Sequence, residues 1–141
     1  MSKTNRIFTF LLAAILLISS LALPSNASLE SDAETISPRW TNAGDLSITL
    51  KKVNGKIQIK IEVTGYTGTT FSSGEVALLK TSGTNTGLVK SWDRLYSNSR
   101  TFTFTDNSVT ATSGTYKVNF SIKALRNGVG ETISGTATLT V

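Results

Sequence analysis

Residues 53–63 read Val-Asn-Gly-Lys-Ile-Gln-Ile-Lys-Ile-Glu-Val, and this stretch decides the fold class. From Ile57 to Val63 apolar and polar side chains alternate, which is the period of a β-strand with one buried and one wet face. The apolar members are all β-branched, and this favours a central strand. Asn54-Gly55 is the strongest local sign of a two-residue hairpin, because both central residues of a type I′ turn need a positive φ. The stretch therefore predicts a hairpin whose second strand lies inside a sheet.

The same alternation recurs along the rest of the chain, and no stretch after Trp40 shows helical periodicity. Strands are predicted at residues 46–51, 57–63, 75–81, 88–93, 100–105, 115–124 and 133–141, with a loop at 64–73, a turn at 83–87 and a second hairpin turn at Asn127-Gly128. Short strands separated by turn signals are typical of a β-sandwich. The sequence thus predicts an all-β, seven-stranded antiparallel sandwich of the immunoglobulin-like or fibronectin-III-like kind. The order in which the strands between residues 75 and 105 pair stays open.

Tyr116 opens the sixth predicted strand in the context Ser113-Gly114-Thr115-Tyr116 and precedes the inward-facing Val118 by two residues. In immunoglobulin-like domains a tyrosine at this place forms a corner, with its hydroxyl bonded back to the backbone just upstream. The alternative is an ordinary core tyrosine. We expect the structural tyrosine corner.

Residues 1–27 have the pattern of a secretory signal peptide. Lys3 and Arg6 precede an apolar run at residues 7–23, and Pro24 and the small residues 25–27 follow it. The alternative is an uncleaved membrane anchor, because an apolar run of this length is near the lower limit for spanning a bilayer. The pattern predicts a secreted, extracellular protein that meets the membrane only through its uncleaved signal peptide.

The mature chain divides by charge. Residues 28–39 carry three acids and few apolar residues and are predicted to be a disordered tether, and residues 40–141 form the sandwich domain, with eleven basic and six acidic side chains. The sequence therefore predicts a mature protein with an acidic N-terminal tail and a basic domain.

The chain has neither cysteine nor histidine. It therefore has no disulfide, no thiolate or imidazole ligand for a metal, and no Ser-His or Cys-His nucleophile pair. The acids of the domain are scattered singly and match neither a paired-carboxylate hydrolase nor a calcium loop. We expect no enzyme, no catalytic residue, no metal and no cofactor.

Two sets of side chains are candidates for binding. Aromatic residues at predicted strand ends and loops could stack on sugars or anchor a protein, and these are Trp40, Tyr66, Trp92 and Tyr96. The alternative is that the two tryptophans belong to the core or cover its ends. A basic patch on one hairpin face could adhere to an anionic surface, and it comprises Lys51, Lys56 and Lys60. The alternative is that these lysines keep the domain soluble and protect its edges.

Threonines also recur with strand spacing, at residues 101, 103 and 105 and again at 136, 138 and 140. Such rows can present hydroxyl groups to ice or a polysaccharide. Threonine is, however, the β-branched residue preferred on wet strand faces, and short twisted rows do not make a flat array. We favour the second interpretation.

Several short motifs occur in a fixed order: Arg39-Trp40-Thr41-Asn42, Gly65-Tyr66-Thr67-Gly68-Thr69-Thr70, Val89-Lys90-Ser91-Trp92, Gly114-Thr115-Tyr116-Lys117-Val118 and Glu131-Thr132. They begin at Arg39 and end at Thr132, and the resemblance that they carry covers roughly residues 39–134. This string resembles a family of small secreted immunoglobulin-like proteins of Gram-positive bacteria that share a domain of unknown function. Members often carry a further tryptophan where this chain has residues 84–87, Thr-Asn-Thr-Gly. The resemblance implies export and a sandwich fold but supplies no activity.

These features predict a secreted, non-catalytic binding or adhesion module. Its expected partner is a protein or glycan surface of the cell envelope or of a host, and we expect a monomer. Nucleic acid is not expected, because no pattern of a known nucleic-acid module occurs. The alternative is a secreted bacteriocin-like or inhibitory effector. The ligand itself stays open.

Overall fold

The computed structural model describes residues 40–141, which form two antiparallel sheets packed face to face. The strands are β1 (Ala43–Val53), β2 (Lys56–Gly65), β3 (Thr70–Ser82), β4 (Asn85–Ser97), β5 (Thr101–Thr110), β6 (Thr115–Arg126) and β7 (Val129–Thr140). One sheet has the order β1-β2-β5 and the other β4-β3-β6-β7. This confirms the predicted seven-stranded sandwich, and no helix occurs in these residues. The predicted signal peptide and tether lie outside the described residues.

The core lies between the sheets and follows from the alternation in β2. Ile57, Ile59, Ile61 and Val63 are each completely buried. The preceding turn has positive φ at Asn54 and Gly55, as the predicted type I′ hairpin requires. Because a strand exposes alternate residues to opposite faces, the polar partners in β2 lie on the outer surface.

All seven strands differ from their predicted bounds, and in β3, β4 and β5 bulges interrupt the alternation. The predicted loop at 64–73 shrinks to residues 66–69, and β3 continues through Ser73, whose φ of 52° accompanies a register shift between Ser72 and Glu75. In β4 a register shift beside Leu79 and a φ of 55° at Arg94 break the pattern, so that the strand covers residues 85–97 instead of 88–93. β5 extends to residue 110 instead of 105. A bulge adds one residue to one strand and therefore reverses the inward phase beyond it.

Phenylalanines hold the two sheets together at the centre. Phe102 of β5 lies 5.7 Å from Phe120 of β6 and 6.3 Å from Phe71 of β3, measured between ring centroids. All three are at most 3% exposed. Since β5 and the other two strands belong to different sheets, this cluster joins the sheets directly.

Tyr116 fixes the connection between β5 and β6. Its buried hydroxyl accepts a hydrogen bond of 3.1 Å from the backbone N–H of Thr112, four residues upstream. Gly114 between them has a φ of 141°, and a Cβ there would lie 2.9 Å from the carbonyl oxygen of Thr81. A tyrosine bonded back to the preceding connection is the arrangement of a tyrosine corner.

The environment of Tyr116 also shifts its ionisation. Burial alone would raise the pKa of the phenol, but the hydrogen bonds from Thr112 and the nearby ammonium of Lys80 outweigh it, so the pKa of Tyr116 lies below its ordinary value. A lowered pKa in the folded state adds no stability below that pKa. It adds stability progressively as pH rises through the folded pKa toward the unfolded value near 10.

Replacing Tyr116 by phenylalanine is expected to lower the free energy of unfolding by about 1–3 kcal/mol at neutral pH, because the Thr112 N–H loses its acceptor. The deficit should grow as the pH rises from the lowered pKa of the folded phenol to the ordinary value near 10, because the ionised phenolate is stabilised in the folded wild type alone. Urea denaturation at several pH values measures both effects. Tyr66→Phe, at an exposed tyrosine, is the matched control and should cost little. A deficit that shrinks with rising pH would contradict the expected ionisation.

Asn42 ties the start of the domain to β6 and β7. It is 3% exposed, and its Nδ2 donates to the carbonyl oxygens of Ala124 (3.1 Å) and Val129 (2.9 Å). The backbone carbonyl oxygen of Asn42 accepts a hydrogen bond of 2.8 Å from the hydroxyl of buried Thr69. These bonds tie the residue before β1 to the β6–β7 hairpin and to the β2–β3 connection.

Glu131 completes this connection from β7. Its carboxylate accepts the backbone N–H groups of Thr41 and Asn42 at 2.9–3.0 Å. We call Asn42, Thr69 and Glu131 the N-terminal clasp. The clasp joins β1 of one sheet to β7 of the other.

Candidate functional site

The structure does not bring the four predicted binding aromatics together. Trp92 is partly buried, packs edge-on against Phe104 at 5.3 Å and lies under the ammonium of Lys90 at 5.0 Å. Trp40 is also partly buried and packs against the core. Both tryptophans thus pack against the core, as the alternative interpretation expects, and a binding role for their exposed parts stays a prediction.

The two predicted tyrosines are exposed and lie at the same end of the sandwich, but neither ring stacks on another aromatic ring among the described residues. Tyr66 lies in the β2–β3 connection, 46% exposed, with the Arg126 guanidinium 5.5 Å from its ring centroid. Tyr96 lies near the end of β4 and is 71% exposed. Each is a single exposed ring and not part of an aromatic platform.

The predicted basic patch lies on the outer face of the three-stranded sheet. Register places Lys51 opposite Gln58, and Lys60 opposite both Thr49 and Thr105. Lys56 bonds to the Thr110 hydroxyl at 3.3 Å. Glu62 follows Lys60 on the same face, so the positive charge there is diluted.

The outer face of the β4-β3-β6-β7 sheet, here called the four-strand face, has a different composition. At one end the register places a threonine on every strand in a single transverse row: Thr86, Thr81, Thr115 and Thr140. Their hydroxyl groups pair at 2.7 Å between Thr81 and Thr86 and at 3.2 Å between Thr115 and Thr140. The row therefore crosses the whole sheet.

Beside this row lies a hydroxyl-lined cleft of about 330 Å³ at the end of the sandwich. Its hydroxyl-bearing residues are Thr81, Ser82, Ser113, Thr115 and Thr140, and no ionisable side chain lines it. Gly114 forms part of its floor and exchanges both backbone hydrogen bonds with Val141. The tyrosine corner thus shapes this cleft, because it sets the path of the β5–β6 connection.

The centre of the four-strand face holds Asn119 on β6, between Ala77 of β3 and Thr136 of β7. Its Oδ1 is buried and is the one buried side-chain polar atom without a hydrogen-bond partner in residues 40–141. Glu75, Ala77 and Ser121 surround it in a shallow pocket of about 140 Å³. An acceptor that stays unpaired in a buried place costs about 1–3 kcal/mol, and a donor that enters this pocket, from solvent or from a ligand, would satisfy it.

Two of these features were not found from the sequence. The threonine row joins residues from four strands, and only the register reveals it; the Thr-x-Thr pattern showed just the β7 component. Asn119 did carry a signal, since asparagine is depleted in strands and this one occupies an outward position in the middle of the alternating strand β6. That signal pointed to an unusual position but not to an unpaired atom.

Within the described residues no three acids, histidines or cysteines are grouped as metal ligands would be. The same part of the chain has no helix long and apolar enough to cross a membrane. Neither the protein-family models nor the curated proteins searched contain a match to this sequence. The four-strand face is therefore assigned from its own geometry.

Proposed function

We propose that this protein is a secreted, non-catalytic binding or adhesion module that attaches to a cell-envelope or host-surface component through its four-strand face. The observation that carries the proposal is the buried Asn119 Oδ1, which lacks a donor at the centre of the four-strand face. An unpaired Oδ1 lowers the stability of the free protein, and a ligand that donates a hydrogen bond to it would account for its presence. Export through residues 1–27 and a monomeric state belong to the same proposal.

The shape of the face supports this assignment. Small side chains at Ala77, Ser121 and Ser134 let a ligand approach the sheet backbone closely, and Asn119 lies among them. Leu88 of β4 is exposed at the border of this face. It pairs with half-buried Leu79 of β3, and the two leucines lie next to the Thr81–Thr86 pair. A rigid sheet holds these groups without ordering a loop, which lowers the entropic cost of binding.

Replacing Asn119 by valine is expected to reduce retention on the ligand about tenfold or more, because the central acceptor is lost. Folding stability should stay unchanged or rise, since the variant removes an unpaired polar atom and introduces a good strand former. Pull-down on purified cell walls, glycans and host surface proteins measures retention, and urea denaturation measures stability.

Gln58→Val is the matched control, because Gln58 is also a carboxamide on a central strand but lies on the outer face of the other sheet. It should leave retention unchanged. If the wild-type protein is retained on none of the three surfaces, the binding proposal is wrong. Inhibition of neighbouring bacteria by the same protein would then favour the effector alternative.

We also infer that the ordered motif string reflects kinship with the Gram-positive secreted family named above. In support, its residues have structural roles: Asn42, Thr69 and Glu131 form the N-terminal clasp, and Tyr116 forms the corner. Residues with such roles define a fold and not a ligand. The proposed binding face is thus independent of the kinship.

A further inference from the structure

We propose that the ligand of the four-strand face is an uncharged, hydroxyl-rich polysaccharide strand that runs from the Asn119 pocket to the hydroxyl-lined cleft. This inference rests on the proposed binding function and adds the chemical class of the ligand. The hydrogen-bonding groups of the face, their arrangement and the charge of the lining residues support this ligand class.

The threonine row can both donate and accept. In each of the pairs Thr81–Thr86 and Thr115–Thr140 one hydroxyl donates to the other, so one hydrogen per pair stays free and both oxygens can still accept. Sugar hydroxyls have the same dual capacity. A peptide backbone offers fixed donors and acceptors instead and would seek a free strand edge.

The arrangement suits an extended chain. Neighbouring strands lie about 4.8 Å apart, so the row from Thr86 to Thr140 crosses three such steps and spans roughly 14 Å. Asn119 lies in the same sheet, two register positions along β6 from Lys117 and four from Thr115. A ligand that reaches both the pocket and the cleft must therefore be longer than one sugar ring.

The lining residues disfavour an anionic polymer. The cleft has no ionisable side chain, and Glu75 is the ionisable residue of the Asn119 pocket. Lys117 lies between the two on the same face and Lys123 lies beyond the pocket, but neither lysine lines the cleft or the pocket. The Glu75 carboxylate within the pocket opposes the approach of phosphate or sulfate groups. Neutral hydroxyl groups can donate to both Glu75 and the Asn119 Oδ1.

The test measures binding of the full mature protein to a printed array of neutral and anionic glycans, followed by titration of soluble neutral polysaccharide hits at low and high salt. We expect neutral hits whose affinity changes little with salt, because no ion pairs form. The double variant Thr115→Val/Thr140→Val should weaken binding roughly tenfold, since two hydroxyl groups are lost together and neither is left unpaired. Thr103→Val/Thr105→Val, on the outer face of the other sheet, is the control and should bind as the wild type does.

The outcomes separate the two proposals. Binding to cell walls or host proteins without any neutral glycan hit overturns the ligand class and leaves the binding function standing. Hits confined to anionic glycans, with affinity that falls steeply with salt, also overturn the ligand class. Unchanged affinity in Thr115→Val/Thr140→Val places the ligand elsewhere and overturns the inference.

Discussion

Replacing Phe102 by alanine is expected to lower the free energy of unfolding by about 3–5 kcal/mol. Phe102 is the contribution of β5 to the aromatic cluster between the sheets, and it contacts Phe71 and Phe120 at once. The truncation removes buried apolar surface and leaves a cavity that the two remaining rings cannot fill without leaving their strands. A domain of this size has a stability of about 5–15 kcal/mol, so the loss is a large fraction of the whole.

Urea denaturation followed by tryptophan fluorescence measures this effect, because Trp92 lies near the same side of the core. Phe102→Leu is the matched control: it keeps most of the volume and should cost clearly less. Thr103→Ala, on the adjacent outward position, should cost little. A loss below about 1 kcal/mol in Phe102→Ala would show that the cluster does not join the sheets.

Replacing Asn42 by alanine is expected to cost about 2–4 kcal/mol, because the carbonyl oxygens of Ala124 and Val129 lose the Nδ2 donor in a buried place. The clasp is the polar link from β1 to β7, so its loss should also loosen the start of the domain. Hydrogen exchange of the backbone amides of β1 measures that loosening, and thermal unfolding measures the stability.

Two further variants test the clasp. Asn42→Asp keeps the size but has no amide donor, and it should lose as much as the alanine variant or more, because a carboxylate would face two carbonyl oxygens. Asn119→Val, at an asparagine whose Oδ1 has no partner, should show no such loss. If Asn42→Ala is as stable as wild type, the clasp is not a stabilising connection.

Much of the fold was predictable from β2 and β6. In both strands the alternation is unbroken, and Ile57, Ile61, Tyr116 and Ile122 are buried as the pattern indicates. The prediction was weakest at β3 and β4, where Ser73 and Arg94 adopt positive φ. A bulge shifts the phase of a strand without any strong local signal in the sequence, and the pairing of β3 with β4 depends on contacts between distant residues.

The candidate site was much less predictable. Tyr66, Tyr96, Lys56 and Lys60 are exposed and Lys51 is half-buried. The unpaired oxygen and the shared row of hydroxyl groups are elsewhere, at Asn119 and in the threonine row. Sequence patterns report which face a residue occupies within its own strand. They do not report which residues of other strands stand beside it.

The alternation around Asn54-Gly55 and its recurrence along the chain predicted an all-β sandwich from the sequence by itself, because a period of two and a type I′ turn are local properties of the chain. The sequence by itself also excluded disulfides and thiol or imidazole chemistry, because the chain has neither cysteine nor histidine. Only the tertiary structure decided that Trp40 and Trp92 pack on the core, that four threonines from four strands form one row, and that Asn119 keeps an unpaired oxygen. Those facts depend on register and on packing between sheets, which arise from contacts between residues far apart in the chain.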